Sequence, residues 1–204
     1  PRLHRRRISI SPRRSSSERK IYSLHGECRL DNFNKLELFF SSLLQGLGPE
    51  HQVGIWTPTN YNQTIHVQAD DPHAAAAATL EQAAKHDTYY NVCTRAAALQ
   101  LSPARRGGKD AVSSFPGPWV EIDFGPHHSA DNLPADLEQS VELLDAAHLP
   151  DPTFLIHSGG GIQALWLLEQ PIIFSSPSSP EARACESLCK ALQAKVIAIA
   201  AQRG

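Results

Sequence analysis

Two carboxylates two residues apart, Glu121 and Asp123, sit inside the apolar stretch Trp119-Val-Glu-Ile-Asp-Phe124. The β-branched and aromatic content of that stretch predicts a strand over 119–124. On a strand, alternate side chains share a face, so both acids project to one side. Two like charges held close repel and lose hydration, and a divalent cation is their natural partner. Phosphoryl and nucleotidyl transfer use this layout, because paired metals clamp the attacking and leaving oxygens. Alternation fits a second arrangement equally: a solvent-facing acid face with Val120, Ile122 and Phe124 buried.

A second group is His157-Ser158-Gly159-Gly160-Gly161-Ile162-Gln163. Three glycines let backbone amides approach a phosphate, and Ser158 adds a hydroxyl. No Lys follows, so the segment is not a P-loop. A plain hairpin turn would use the same residues. A third group, Arg105-Arg106-Gly107-Gly108-Lys109, combines positive charge with glycine and suits a phosphate backbone or a triphosphate. It leads directly into the acid strand, so both are expected to face one cleft.

Other chemistries are poorly served. His127-His128 follow the acid strand, but adjacent histidines point different ways. Neither H-x-x-x-H nor H-x-H zinc spacing occurs. The His-apolar-His pattern of replication-initiator nucleases is also absent, and Ser158 lacks a G-x-S-x-G elbow. A metal-dependent phosphohydrolase would need His127 or His128 to meet Glu121 and Asp123 in space.

The elements that must position these residues follow from periodicity and punctuation. Asp31 caps a predicted helix whose stripe is Phe33, Leu36, Phe40, Leu43, Leu44 and Leu47, stopped by Gly46, Gly48 and Pro49. Strands are predicted at 51–57 and 63–68, then an Ala-rich helix from Asp71-Pro72 to about Lys85. A strand at 88–93 precedes a connection at 100–118, long enough to be functional or mobile. A helix over 134–147, a hairpin of 153–157 and 162–168 around 158–161, and a helix over 179–202 complete the chain. Strands mixed with helices and hairpins predict an α+β fold with mixed or antiparallel sheets and flanking helices.

The 204 residues suit one compact domain. Residues 1–20 carry net +7 and residues 21–204 carry −9, within −2 overall. The basic segment reads as a nucleic-acid arm or as a solvated, disordered tail. The domain is expected over 21–204. With no Met and a start at Pro1, the sequence reads as a piece of a longer product. No run of about 18 apolar residues predicts a membrane span. Cys28, Cys93, Cys185 and Cys189 fit neither a disulfide framework nor paired zinc knuckles, so a reducing cytoplasmic setting is expected.

The order basic loop, PWVEIDFG, helix, then FLIHSGGGIQALWLLEQP resembles the archaeo-eukaryotic primase superfamily. The likeness is nearest to plasmid and phage RepB-like primase and primase-polymerase domains, and it covers roughly residues 31–200. It implies a primase-type catalytic core that performs template-directed nucleotidyl transfer in DNA replication. Glu121 and Asp123 would be its catalytic, metal-binding acids for Mg²⁺ or Mn²⁺. Ser158, Gly159, Gly160, Gly161 and Gln163 would hold the incoming nucleoside triphosphate, and Arg105, Arg106 and Lys109 would touch template or triphosphate. Partners would be a single-stranded template, nucleoside triphosphates and a fused or separate replicative helicase. Three departures stand out. Glu121 replaces the commoner Asp, and Gln163 replaces the usual His. The family's third acid, in a later segment followed by Arg-Pro-Gly-Thr, would lie beyond Gly204. The competing reading is a non-catalytic nucleic-acid-binding remnant on the same fold.

Overall fold

A computed structural model describes residues 9–12, 29–58, 63–125, 133–158 and 160–203. In chain order the elements are β1 (Ser9–Pro12), α1 (Arg29–Leu43), β2 (His51–Trp56), β3 (Thr64–Gln68), α2 (Pro72–Ala83), β4 (Tyr89–Tyr90), β5 (Arg95–Ala96), β6 (Ser114–Phe115), β7 (Trp119–Asp123), α3 (Leu137–Ala146), β8 (Phe154–His157), β9 (Gly161–Leu165), β10 (Ile172–Ile173) and α4 (Pro180–Arg203). Every described strand pair is antiparallel, so the α+β expectation holds at the level of class. The described residues fall into two compact units: 29–117 with 167–184, and 118–166 with 185–203 and 9–12.

The first unit is built on a sheet ordered β3-β2-β4, with β5 also pairing β2. His51, Val53 and Ile55 of β2 are buried, and register places Ile55 opposite Ile65 and Tyr90. The stripe on α1 supplies that core: Phe39 and Phe40 meet Tyr90 edge-on at 5.1 and 6.2 Å. α1 begins two residues before Asp31, which therefore lies in the first turn and complements the helix dipole instead of capping. Asp71 caps α2 as its sequence predicts, accepting from the Ala74 amide at 2.8 Å with Pro72 at the start.

The expected strand at 88–93 is cut to Tyr89–Tyr90. Asn91 turns its side chain elsewhere, as described below. The connection at 100–118 holds local structure of its own: a 3₁₀ turn at Lys109–Ala111 and β6, which pairs with β10. Buried beside it, His51 Nδ1 lies 2.8 Å from Ser113 Oγ, and Thr94 Oγ1 bonds Ser114 Oγ at 2.6 Å. Burial pushes His51 below its ordinary value near 6.5, against an opposing pull from Glu50. Burial also lowers His157 in the second unit. Above the unfolded value both histidines are neutral folded and unfolded. Below it the unfolded chain takes protons that the folded chain refuses, so stability falls with pH. Thermal melts should be flat from about pH 8 to 7 and should drop below about pH 6.5. His51→Gln should flatten part of that drop, and an unchanged slope in that variant would contradict the assignment.

The second unit carries a sheet ordered β1-β8-β9-β7. Ser9–Pro12 thus forms an edge strand against β8, within the segment expected to be a solvated tail. One face of this sheet packs on α3 and α4: Val120, Ile122, Ile162 and Ala164 join Val141, Leu144 and Val196 in one buried cluster. α3 starts at Leu137, because the Asp136 carboxylate accepts from the Gln139 amide at 2.9 Å and fixes the first turn there. β9 ends at Leu165, short of the expected 168. Beyond it Pro118 and Pro116 of the facing segment have carbonyls but no amide hydrogens, so pairing continues one-sidedly, with Trp166 N–H donating to Pro118 O at 2.9 Å and Leu168 N–H to Pro116 O at 2.8 Å.

Candidate functional site

The acid pair stands on β7, the edge strand of the second unit's sheet. Val120 and Ile122 are 0% and 5% exposed and face the helices. Glu121 and Asp123 are exposed on the opposite face. Of the two arrangements that alternation allowed, the structure has the solvent-facing one. Strand rise separates their Cα atoms by about 6.7 Å.

The neighbouring strand is β9, and its register places Glu121 opposite Gln163 and Asp123 opposite Gly161. The outward backbone edge at Glu121 is closed by α4. The Gln193 carboxamide accepts from the Glu121 amide at 3.1 Å and donates to the Glu121 carbonyl at 2.9 Å. Because that amide points away from β9, Glu121 and Gln163 form a pair without mutual backbone bonds, where side chains stand closest. Gln163 Nε2 accordingly donates to Glu121 Oε1 at 2.7 Å. Gln193 lies 72 residues from Glu121, and no local sequence signal announces it.

Gly161 has a packing reason to be glycine. A Cβ there would lie 2.7 Å from the Ile122 carbonyl oxygen and 3.1 Å from Asp123 Cα. Ser158 closes the hairpin: its amide and its hydroxyl both donate to the Gly161 carbonyl, at 2.9 and 3.1 Å. Gly160 accepts from the Phe124 amide at 2.9 Å. Gly159, His127, His128 and Cys28 lie outside the described residues. His157 stacks on Phe124 with ring centroids 5.6 Å apart.

The donor set on β7 suits Mg²⁺ or Mn²⁺. Such cations take one or two carboxylates and complete their shell with water and phosphate oxygens. Gln163 occupies one oxygen of Glu121, and a carboxylate has about four lone-pair sites. Among the described residues, no group of three or more His, Cys, Asp or Glu gathers to hold a metal.

The basic loop belongs to the first unit. Its backbone is tied down by successive donors. Thr64 N donates to Pro103 O at 2.6 Å, His66 Nε2 to Arg105 O at 3.0 Å, Asn91 Nδ2 to Arg106 O at 3.2 Å and Arg95 Nε to Gly107 O at 3.3 Å. The loop is therefore a strap across the sheet face opposite the helices. Burial lowers the Arg95 pKa from its ordinary value, with the Arg106 charge adding to the effect. Arg105, Arg106 and Lys109 keep exposed side chains. The Arg106 guanidinium lies 4.2 Å over the Trp56 ring, and Trp56 stacks on Tyr89 at 4.7 Å and 25°. Sequence reading missed Trp56 and Tyr89 as site residues. Their signal was present as two aromatics at the ends of predicted strands.

No helix among the described residues is long and apolar enough to cross a membrane. Comparison with protein-family models, curated proteins and solved structures finds no match to this chain.

Proposed function

We propose that the chain carries a primase-type nucleotidyltransferase domain acting on a single-stranded template, as expected in phage or plasmid DNA replication. One observation carries this reading. The two segments of the resemblance, Glu121-Ile-Asp123 and Ser158–Gln163, are neighbouring strands in a register that sets the acid pair beside the glycine hairpin. Glu121 and Asp123 would hold Mg²⁺ or Mn²⁺. A bound divalent ion supplies charge neutralisation at phosphate oxygens and activates an attacking hydroxyl. The chain's own residues would do the positioning: the glycine hairpin would approach a triphosphate through its backbone amides, and Gln163 would donate from beside Glu121. In the other unit, Arg105, Arg106 and Lys109 offer cations to a nucleic-acid backbone.

A second reading has its own support. The Gln163 carboxamide engages Glu121 and the Ser158 hydroxyl engages its own turn, which favours a nucleic-acid-binding remnant without chemistry. Incorporation of labelled nucleotides on a single-stranded template, with Mn²⁺ and with a chelator control, separates the two. Template-dependent product that vanishes with chelator is the expected outcome. Template binding with no product selects the remnant. Gln163→His, which restores the cationic donor typical of the resembled family, should raise incorporation several-fold. A variant no faster than the native chain would remove any role for Gln163 in holding the nucleotide.

A further inference from the structure

The strap face of the first unit has a composition that phosphate contact alone does not explain. Register arranges it in three rows: Gln68, Gln52 and Arg95; His66, Gly54 and Asn91; Thr64, Trp56 and Tyr89. Buried polar groups in folded proteins nearly always find a partner. Here Gln52 Nε2 and Thr64 Oγ1 have none, although Gln52 is only 8% and Thr64 only 3% exposed. His66 Nδ1 on the same face is also unpartnered. Three orphaned polar atoms thus share one sheet face with an aromatic pair and a basic strap.

Each feature points to the same ligand chemistry. Tyr89, Trp56 and the Arg106 guanidinium form a continuous stack. A cation over an aromatic face at an exposed position is held weakly, so Arg106 can yield that face to a flat ring. Every nucleobase has a π-face, and single strands bind by stacking bases on aromatic side chains above a cationic groove. A duplex hides those faces. The hydroxyl of Thr64, directly opposite Trp56 in register, offers a hydrogen bond to a base edge. The exposed Arg105 side chain offers a cation to a flanking phosphate.

We propose that Trp56, backed by Tyr89 and covered by Arg106, is a stacking site for an unpaired base of single-stranded nucleic acid, with Thr64 reading the base edge. This rests on the nucleic-acid side of the reading above and is independent of the acid pair, which lies in the other unit. Gly54 supports the site. A Cβ there would meet Asn91 Nδ2 at 2.5 Å and push away the side chain that ties Arg106.

The test uses the whole chain and a fluorescein-labelled thymidine 20-mer, followed by anisotropy at moderate salt. Heparin serves as a charged probe without bases. Trp56→Ala should weaken oligonucleotide binding roughly tenfold or more, while Trp56→Phe keeps most of it and heparin binding is unchanged. Because Trp56→Phe preserves a packed ring, its behaviour remains informative if Trp56→Ala unfolds. Thr64→Val, which removes the orphaned hydroxyl opposite Trp56, should alter preference among homopolymers. Oligonucleotide affinity unchanged in folded Trp56→Ala, or lost equally for oligonucleotide and heparin, would overturn the stacking site. So would Trp56→Phe binding as poorly as a folded Trp56→Ala. Asp123→Asn should leave oligonucleotide affinity at the native level, so a failure of the catalytic reading would appear in synthesis alone.

Discussion

Asp123→Asn is expected to reduce template-dependent incorporation by roughly 100-fold or more, the scale seen when one preorganised electrostatic group is lost. The substitution keeps the shape and removes the charge. Asp123 is exposed at the end of β7, with its apolar neighbour Ile122 buried on the far side. Its exposure keeps the cost to the fold small, and unfolding free energies from urea titrations should agree within about 0.5 kcal/mol. Mn²⁺ binding by calorimetry should be lost together with activity, because one carboxylate cannot supply the field that two like charges create. Glu121 is the poorer single ligand, since Gln163 Nε2 already engages one of its oxygens. Normal synthesis by the Asn variant would end the proposal that these acids carry the chemistry. Loss of Mn²⁺ binding in a chain that never synthesises would leave a metal site without the transferase.

That the two acids share a face was legible from strict alternation, whereas alternation alone left open which face meets the core. Once Val120 and Ile122 find a core, Glu121 and Asp123 can only face outward together. The hairpin was legible from its glycines, and α2 from Asp71-Pro72, where cap chemistry is local. What escaped was contact between distant parts. Nothing near Glu121 in sequence says that Gln193 will close its backbone edge. Nothing in the 100–118 connection says that its carbonyls will be caught one after another by Thr64, His66, Asn91 and Arg95. Composition made that segment look mobile, since Pro, Gly and Ser mark loops. Order came from side chains on other strands. At the end of the short β4, Asn91 keeps its amide on the Gly54 carbonyl at 3.0 Å while its side chain fills the space above Gly54 and reaches the strap. The glycine run shows a different limit. Sequence reading left its glycines open between phosphate approach and a plain hairpin turn, and did not foresee that the closeness of β7 also requires Gly161.

That closeness makes Gly161→Ala the substitution with the largest expected cost to the fold around the site. The added Cβ would sit 2.7 Å from the Ile122 carbonyl oxygen. A flexible side chain could move aside, but a backbone carbonyl within a paired strand cannot move alone. Strands β7 and β9 must separate locally, which strains the bond from Phe124 N–H to Gly160 O and the Ser158 turn. Overpacking of this kind costs typically about 1–3 kcal/mol, and a backbone clash belongs at the upper end. Ser158→Ala gives the contrast. It removes a single hydroxyl bond at a turn whose amide bond to Gly161 O remains, so its cost should stay near 1 kcal/mol or below. Urea midpoints should therefore rank native, Ser158→Ala and Gly161→Ala in that order. Mn²⁺ affinity should fall in Gly161→Ala alone, because Asp123 is the residue displaced. A Gly161→Ala chain as stable as the native one would mean that Asp123 does not lie opposite Gly161, and the acid pair would then lose its place beside the glycine hairpin.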